Sequence, residues 1–389
     1  MRCRGRATAA VLGLLLCLML LFSVLREQIN VVLLTGHHVQ PTEEPQVSSE
    51  PCTFVLLREA YRHQGYFPDG GEWLQTDGVH HFQPKVCRYR YPSVPSTLMR
   101  ECFSKANISY VLTMGDSTAG YYSAALRRTS KANCQRLQAE KRQEDGFLPD
   151  KEYFQREMPA EIADVLTAQL HLCRGCVSEL HRCDFEYENR SDWLTTEHIA
   201  QAMILDDSLQ LSYPTYQQTK KHLSQVWALT TQELVFRYYL KDKHPDLFLI
   251  FLPFVHAKHN MRMSRLPMEI EYFKKLIEEY LPNTTKLFYF TSYGEFEEAR
   301  RGSKWSGVLF EGMLARERID RMNHVLYEVL EDDLLNVGGR YFGFLDLIDV
   351  SKDRGNWSID SIHMEVVWYD SVMSMFWETF CNSVLLDSF

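Results

Sequence analysis

Four short apolar runs without polar alternation recur along the chain, each followed by a longer amphipathic stretch. This rhythm restricts the fold more than any other feature. The runs are Tyr110-Val-Leu-Thr113, Asp246-Leu-Phe-Leu-Ile-Phe-Leu252, Lys286-Leu-Phe-Tyr-Phe290 and Tyr341-Phe-Gly-Phe-Leu345. Helical spacing of apolar residues predicts helices over Thr118–Arg128, Met268–Tyr280, Arg316–Leu330 and Trp368–Phe380. A strand that is apolar at every residue has no wet face, as in a parallel sheet covered by helices on both sides. Alternating strands and helices predict an α/β fold, with the site beyond the carboxyl ends of the strands. The polar, cysteine-bearing stretch at about 131–224 breaks the rhythm and reads as a large insertion.

The N-terminus carries an address. Ala7 to Leu25 is a run of 19 residues without a charge, preceded by Arg2, Arg4 and Arg6. About 20 apolar residues cross a hydrocarbon core, and flanking arginines stay on the cytoplasmic side. The expected organisation is a cytoplasmic tail over 1–6, a transmembrane signal-anchor over 7–25, a stem over 26–51 and a luminal domain over 52–389. The alternative is a cleaved signal peptide and a secreted chain, but the run is long and lacks a clear small-x-small cleavage site. Either reading delivers the domain to the secretory lumen, and the anchored one is a Golgi-type, type II arrangement. The first 25 residues carry +3 and the rest −12, within a total of −9. The basic cap therefore reads as topology information. An acidic body excludes a protein that works by neutralising nucleic-acid phosphates.

Two features agree with the lumen. Asn-x-Ser/Thr glycosylation sequons stand at Asn107, Asn189, Asn283 and Asn356. Cys52, Cys87, Cys102, Cys134, Cys173, Cys176, Cys183 and Cys381 form an even set suited to disulfides, with connectivity left open. Cys173, Cys176 and Cys183, interleaved with His171 and His181, could alternatively be read as a zinc site; an oxidising lumen favours disulfides. No metal and no cofactor is expected, and the oligomeric state is not legible.

The chemistry sits at two distant points. The first strand leads into Met114-Gly115-Asp116-Ser117, and a helix follows. A serine there lies at a helix N-terminus, where free N–H groups face an oxyanion, and Gly115 allows a tight turn. The plain alternative is a helix cap made by Asp116 or Ser117. Far along the chain, Asp360-Ser-Ile-His363 places a carboxylate three residues before an imidazole. That spacing lets Asp360 fix the tautomer of His363, whose other nitrogen is then free to take a hydroxyl proton.

A strand ending in Gly115-Asp116-Ser117 and a late Asp360-x-x-His363 resemble the SGNH/GDSL hydrolase superfamily. Leu345-Asp346, Ser351, Arg354 and Trp368-Tyr369 narrow the resemblance to the PC-esterase branch, which includes trichome-birefringence-like proteins and sialate O-acetyltransferases. The resemblance spans roughly Tyr110 to Cys381. It implies a three-layer, flavodoxin-like α/β/α domain with a parallel sheet, Ser117 as nucleophile, His363 as base and Asp360 as its orienting acid. Gly115 and Asp116 become oxyanion or substrate candidates. The middle of the chain departs from the branch: after Leu252 it has no Gly-x-Asn-Asp, and His256 is the best positional substitute, ahead of Asn260. For the other oxyanion block only Gly175 stands nearby.

Three functional classes follow. The first is a luminal serine esterase or O-acyltransferase acting on O-acetyl groups of glycans or another acyl ester. The second is another Golgi type II enzyme, a glycosyltransferase or sulfotransferase, which the absence of Asp-x-Asp and of a phosphate-cradling loop disfavours. The third is a binding protein on an inactive esterase fold, motivated by the altered middle block.

Overall fold

A computed structural model describes residues 49–64, 71–91, 93–139, 151–170, 178–187, 190–200, 231–251, 266–294, 296, 316–335, 340–351, 354–360 and 362–386. The apolar run 7–25 lies outside them, and among the described residues no helix is long and apolar enough to cross a membrane. The described strands are β1 (Gly71–Thr76), β2 (Val79–Pro84), β3 (Tyr110–Gly115), β4 (Asn133–Ala139), β5 (Glu179–Tyr187), β6 (Arg190–Ala200), β7 (Leu247–Phe251), β8 (Lys286–Phe290) and β9 (Tyr341–Leu345). The longer helices are α1 (Phe54–Gln64), α2 (Ser96–Ala106), α3 (Ser117–Ser130), α4 (Ala160–Leu170), α5 (Leu266–Tyr280), α6 (Arg316–Leu335) and α7 (Val366–Leu386).

Seven strands form one sheet in the order β4-β5-β6-β3-β7-β8-β9. From β6 to β9 every neighbouring pair is parallel; β4 and β5 add antiparallel strands at one edge. Numbered along the chain, the parallel strands lie in the flavodoxin-like order 2-1-3-4-5. β3 is therefore the strand from which the chain winds outward in both directions, and a crevice opens beyond its carboxyl end.

Alternate residues of each strand feed two helical layers, so neither face is wet. Phe251 and Phe290 point toward α3 and α7, where Tyr122 stacks on Phe251 at 4.9 Å and Phe376 meets Phe290 at 5.4 Å. Phe248 points the other way, onto Phe236 at 6.0 Å, which in turn meets Phe273 of α5 at 5.5 Å. The last helix, α7, is buried along almost its whole length, from Trp368 to Val384. Its sequence is apolar nearly all round because it has no wet side.

The stretch expected as an insertion at about 131–224 supplies β4, β5 and β6 to this same sheet. Its polarity has a cause. Glu197 of β6 is fully buried and collects the hydroxyls of Tyr110 (2.5 Å), Tyr153 (2.7 Å) and Tyr239 (2.5 Å). Arg156 and Lys243 also reach it, each at 2.5 Å. Burial works to raise its carboxyl, but Lys243 and Arg156 outweigh that and hold it below the usual range. Removing the carboxylate leaves two cations and three phenols facing an empty centre. Glu197→Ala is expected to destabilise the domain by about 3–5 kcal/mol, read from urea unfolding; a loss under about 1 kcal/mol would remove the cluster from the account.

A second buried carboxyl has the opposite sense. Glu378 in α7 accepts the main-chain N–H groups of Arg90 (2.5 Å) and Tyr91 (3.2 Å). Burial nevertheless pushes it up from 4.5 to about 7. A carboxyl raised on folding favours the folded state while protonated, and that advantage fades as pH climbs between those two values. Glu378→Gln should therefore gain stability relative to wild type across that window, by roughly 2–3 kcal/mol at its upper end. Paired thermal melts at the two pH limits test this, and a constant difference would contradict it.

Among the described residues three disulfides, Cys52–Cys87, Cys102–Cys381 and Cys134–Cys183, point to an oxidising, secretory or extracellular environment. Cys183 is bonded to Cys134 and is no thiolate ligand, which removes it from the zinc alternative. Cys173 and Cys176 lie outside the described residues. The segment after Cys52 forms α1, the β1–β2 hairpin and α2. The hairpin braces the loop after β9: Trp73 donates its indole N–H to the Val350 carbonyl at 2.9 Å and meets Trp357 edge-on at 4.9 Å. Of the sequons, Asn107, Asn283 and Asn356 are exposed, and Asn189 lies outside the described residues.

Candidate active site

β3 runs through Gly115, and α3 begins two residues later. Asp116 is the helix cap: its carboxylate accepts the Thr118 N–H at 2.9 Å and the Thr118 hydroxyl at 2.6 Å. It is only 1% exposed, and the role the structure gives its side chain is that of the cap. Because Asp116 meets the capping requirement, the Ser117 hydroxyl is free for another partner. Gly115 is also explained differently from the expectation. Its backbone is not left-handed; a Cβ there would lie 2.4 Å from Ala119 Cβ and 3.2 Å from Phe251 Cβ. Glycine is required so that the first turn of α3 can sit against β7.

The other half of the site follows the last strand, which is parallel to β3's neighbours and ends on the same rim. After β9 the chain makes a helical turn (Leu347–Val350), a 3-10 turn (Gly355–Trp357) and the loop holding Asp360 and His363. Ser358 and Met364 pair across this loop. Asp360 Oδ1 accepts the main-chain N–H of His363 at 2.8 Å and of Ile362 at 3.3 Å. Its Oδ2 lies 2.9 Å from His363 Nδ1. The carboxylate thereby keeps the proton on Nδ1, and the Nε2 lone pair faces Ser117 Oγ at 2.8 Å. The structure thus brings together three residues that stand 246 positions apart at their extremes. Chemically, the arrangement can take a proton from a serine hydroxyl and hold the resulting imidazolium against a carboxylate.

His256 and Asn260 lie outside the described residues, as does Gly175. Among the described residues no cluster of His, Cys, Asp and Glu is arranged to hold a metal ion.

Sequence reading gave no place at the site to four residues that the structure puts beside it. Tyr121 lies one helical turn beyond Ser117, 42% exposed, with its ring 5.4 Å from the His363 imidazole. The i, i+4 spacing from the serine could have flagged it. Tyr293 and Tyr369 meet the loop that carries His363; no local pattern marks Tyr293, and Tyr369 stands in the sequence reading only as half of the Trp368-Tyr369 pair, with no role attached. His198 of β6 lies buried beneath the first turn of α3, with Nδ1 3.1 Å from the Thr113 hydroxyl. Burial, aided by the Arg127 charge, pushes its imidazole down to about 3, so it is neutral.

No family model matches the chain, and no curated protein matches it in sequence. Among solved structures it is similar to a peptidoglycan O-acetylesterase, at 8% identity and a TM-score of 0.39, over 75% of this chain and 97% of that one. It is also similar to a DUF4886 family protein from Bacteroides uniformis ATCC 8492, at 9% identity and a TM-score of 0.32, over 70% and 82% of the two chains. Likenesses this loose carry no activity from those chains to this one.

Proposed function

We propose that this chain is a secretory-pathway serine esterase or O-acyltransferase of the SGNH type, acting on O-acetyl groups of glycans. The observation that carries the reading is the relay from Asp360 through His363 to Ser117, at 2.9 and 2.8 Å. Ser117 Oγ attacks the ester carbonyl while His363 Nε2 takes its proton. The bond to the alcohol then breaks, and the alcohol leaves with that proton, giving an acyl-serine. Water or an acceptor hydroxyl resolves the intermediate by the same proton path in reverse. The two outcomes share their first half, so the relay serves hydrolysis and transfer alike.

The acyl group and glycan class rest on the PC-esterase resemblance of the motifs. The type II membrane anchor and Golgi placement rest on the 7–25 run and its three arginines; the disulfides support the compartment. A second reading, a binding protein on an esterase fold, is favoured by the middle block without Gly-x-Asn-Asp, since one lost oxyanion donor lowers a rate by about two to three orders of magnitude. A fluorophosphonate probe separates the two. The enzyme reading expects covalent labelling of the full-length protein that disappears in Ser117→Ala. Folded wild type that takes no label favours the binding protein.

A further inference from the structure

His363 sits in a short loop, and a loop keeps a catalytic geometry only if its peptide groups are held. Two phenols hold them. The Tyr293 hydroxyl donates to the Ile362 carbonyl at 2.6 Å. The Tyr369 hydroxyl accepts from the Met364 N–H at 3.1 Å. The two hydroxyls lie 3.4 Å apart. The peptide units immediately before and after His363 are thus bonded to one linked pair. Both side chains are buried, Tyr293 at 1% and Tyr369 at 0% exposure. Burial raises both phenols, so they stay protonated, as donation requires.

Tyr369 also meets the helix that carries the nucleophile. Its ring stacks on Tyr121 at 5.1 Å and 14°, and Tyr121 follows Ser117 by one turn of α3. A path of rigid contacts therefore runs from the helix that carries the serine, through the two stacked rings, to the loop that carries the base. Tyr293 completes it from the segment after β8, so three elements converge on the loop that carries His363.

We propose that Tyr293 and Tyr369 are positioning residues for the Ser117–His363 pair, fixing the base loop to the nucleophile helix. This rests on the Ser117–His363–Asp360 reading above. Packing alone does not account for the pattern, because phenylalanine would fill either site while offering nothing to the main chain beside His363. Tyr89 provides the contrast: it is a buried phenol whose hydroxyl bonds the Thr379 side chain of α7 at 3.0 Å, not the base loop.

The test uses full-length Tyr293→Phe, Tyr369→Phe, their double and Tyr89→Phe, compared well below their unfolding temperatures. The first readout is the rate of Ser117 labelling by a fluorophosphonate. The second, independent of activity, is the downfield NMR signal of the His363 Nδ1 proton. The double variant should label about 10–100-fold more slowly, with its His363 signal broadened by solvent exchange. Each single should show a smaller part of this, and Tyr89→Phe should stay within about twofold of wild type. Wild-type labelling and an unchanged His363 signal in the double variant would overturn the assignment. So would an equal slowing in Tyr89→Phe, which would trace the effect to general loss of stability. If wild type takes no label, the triad reading falls, and an unchanged His363 signal in the double variant overturns the brace as well.

Discussion

Ser117→Ala is expected to lower kcat for an acetyl ester by about four to six orders of magnitude while leaving the fold intact. The first half of that statement follows from the relay, since the only atom removed is the one 2.8 Å from His363 Nε2. The second half follows from Asp116. It, and not Ser117, caps α3 through the Thr118 N–H at 2.9 Å, so losing the serine hydroxyl removes no cap. The stability change should stay within about 0.5 kcal/mol. A serine acting as the cap would instead cost about 1 kcal/mol on replacement. Turnover and thermal unfolding measured on one preparation check both halves. Residual activity within tenfold of wild type would exclude Ser117 as the nucleophile.

Asp360→Asn should cost about three to four orders of magnitude in kcat, which is large for a change that keeps the side chain's shape. The reason lies in which oxygen does what. Oδ1 is committed to the main-chain N–H groups of Ile362 and His363, and these accept no substitute but an acceptor. Asparagine must therefore turn its carbonyl toward them and its NH2 toward Nδ1. Oδ2, at 2.9 Å, lies nearer Nδ1 than Oδ1, at 3.1 Å, so the new donor favours the imidazole proton on Nε2, where it points at the Ser117 hydroxyl and hinders its deprotonation. The expected result is a folded protein whose kcat collapses, with KM changed far less because binding is untouched. A kcat within tenfold of wild type would mean that Asp360 does not set the tautomer.

Much of the fold was legible because the strands that carry it are buried on both faces. Every residue of Leu247–Phe251 is buried, so apolar character is continuous and no other reading competes. β6 hid for the opposite reason. It holds Thr196, Glu197 and His198, all buried and all polar, and the partners of Glu197 come from β3, the short helix at Tyr153 and the segment around Tyr239. A hydrophobic pattern cannot report a buried ion cluster whose members are distant in sequence. The same distinction divides the site. Ser117 and Asp360–His363 were readable because each motif is local and its chemistry dictates its spacing. Tyr293 was not, and Tyr369 only as half of an aromatic pair, because both bond main-chain groups that any residue would supply. Gly115 was found for the wrong reason: the requirement is close approach to Phe251 and Ala119, a fact of packing.

The central claim is that an acyl group passes through Ser117. The most direct measurement mixes the full-length protein with an activated acetyl ester, quenches it in acid within the first turnovers, and maps the peptides by mass spectrometry. The account predicts one acetyl group on Ser117, absent from Ser117→Ala and released on further incubation as product forms. Turnover of the ester with Ser117 unmodified at every time point, or undiminished in Ser117→Ala, would contradict it.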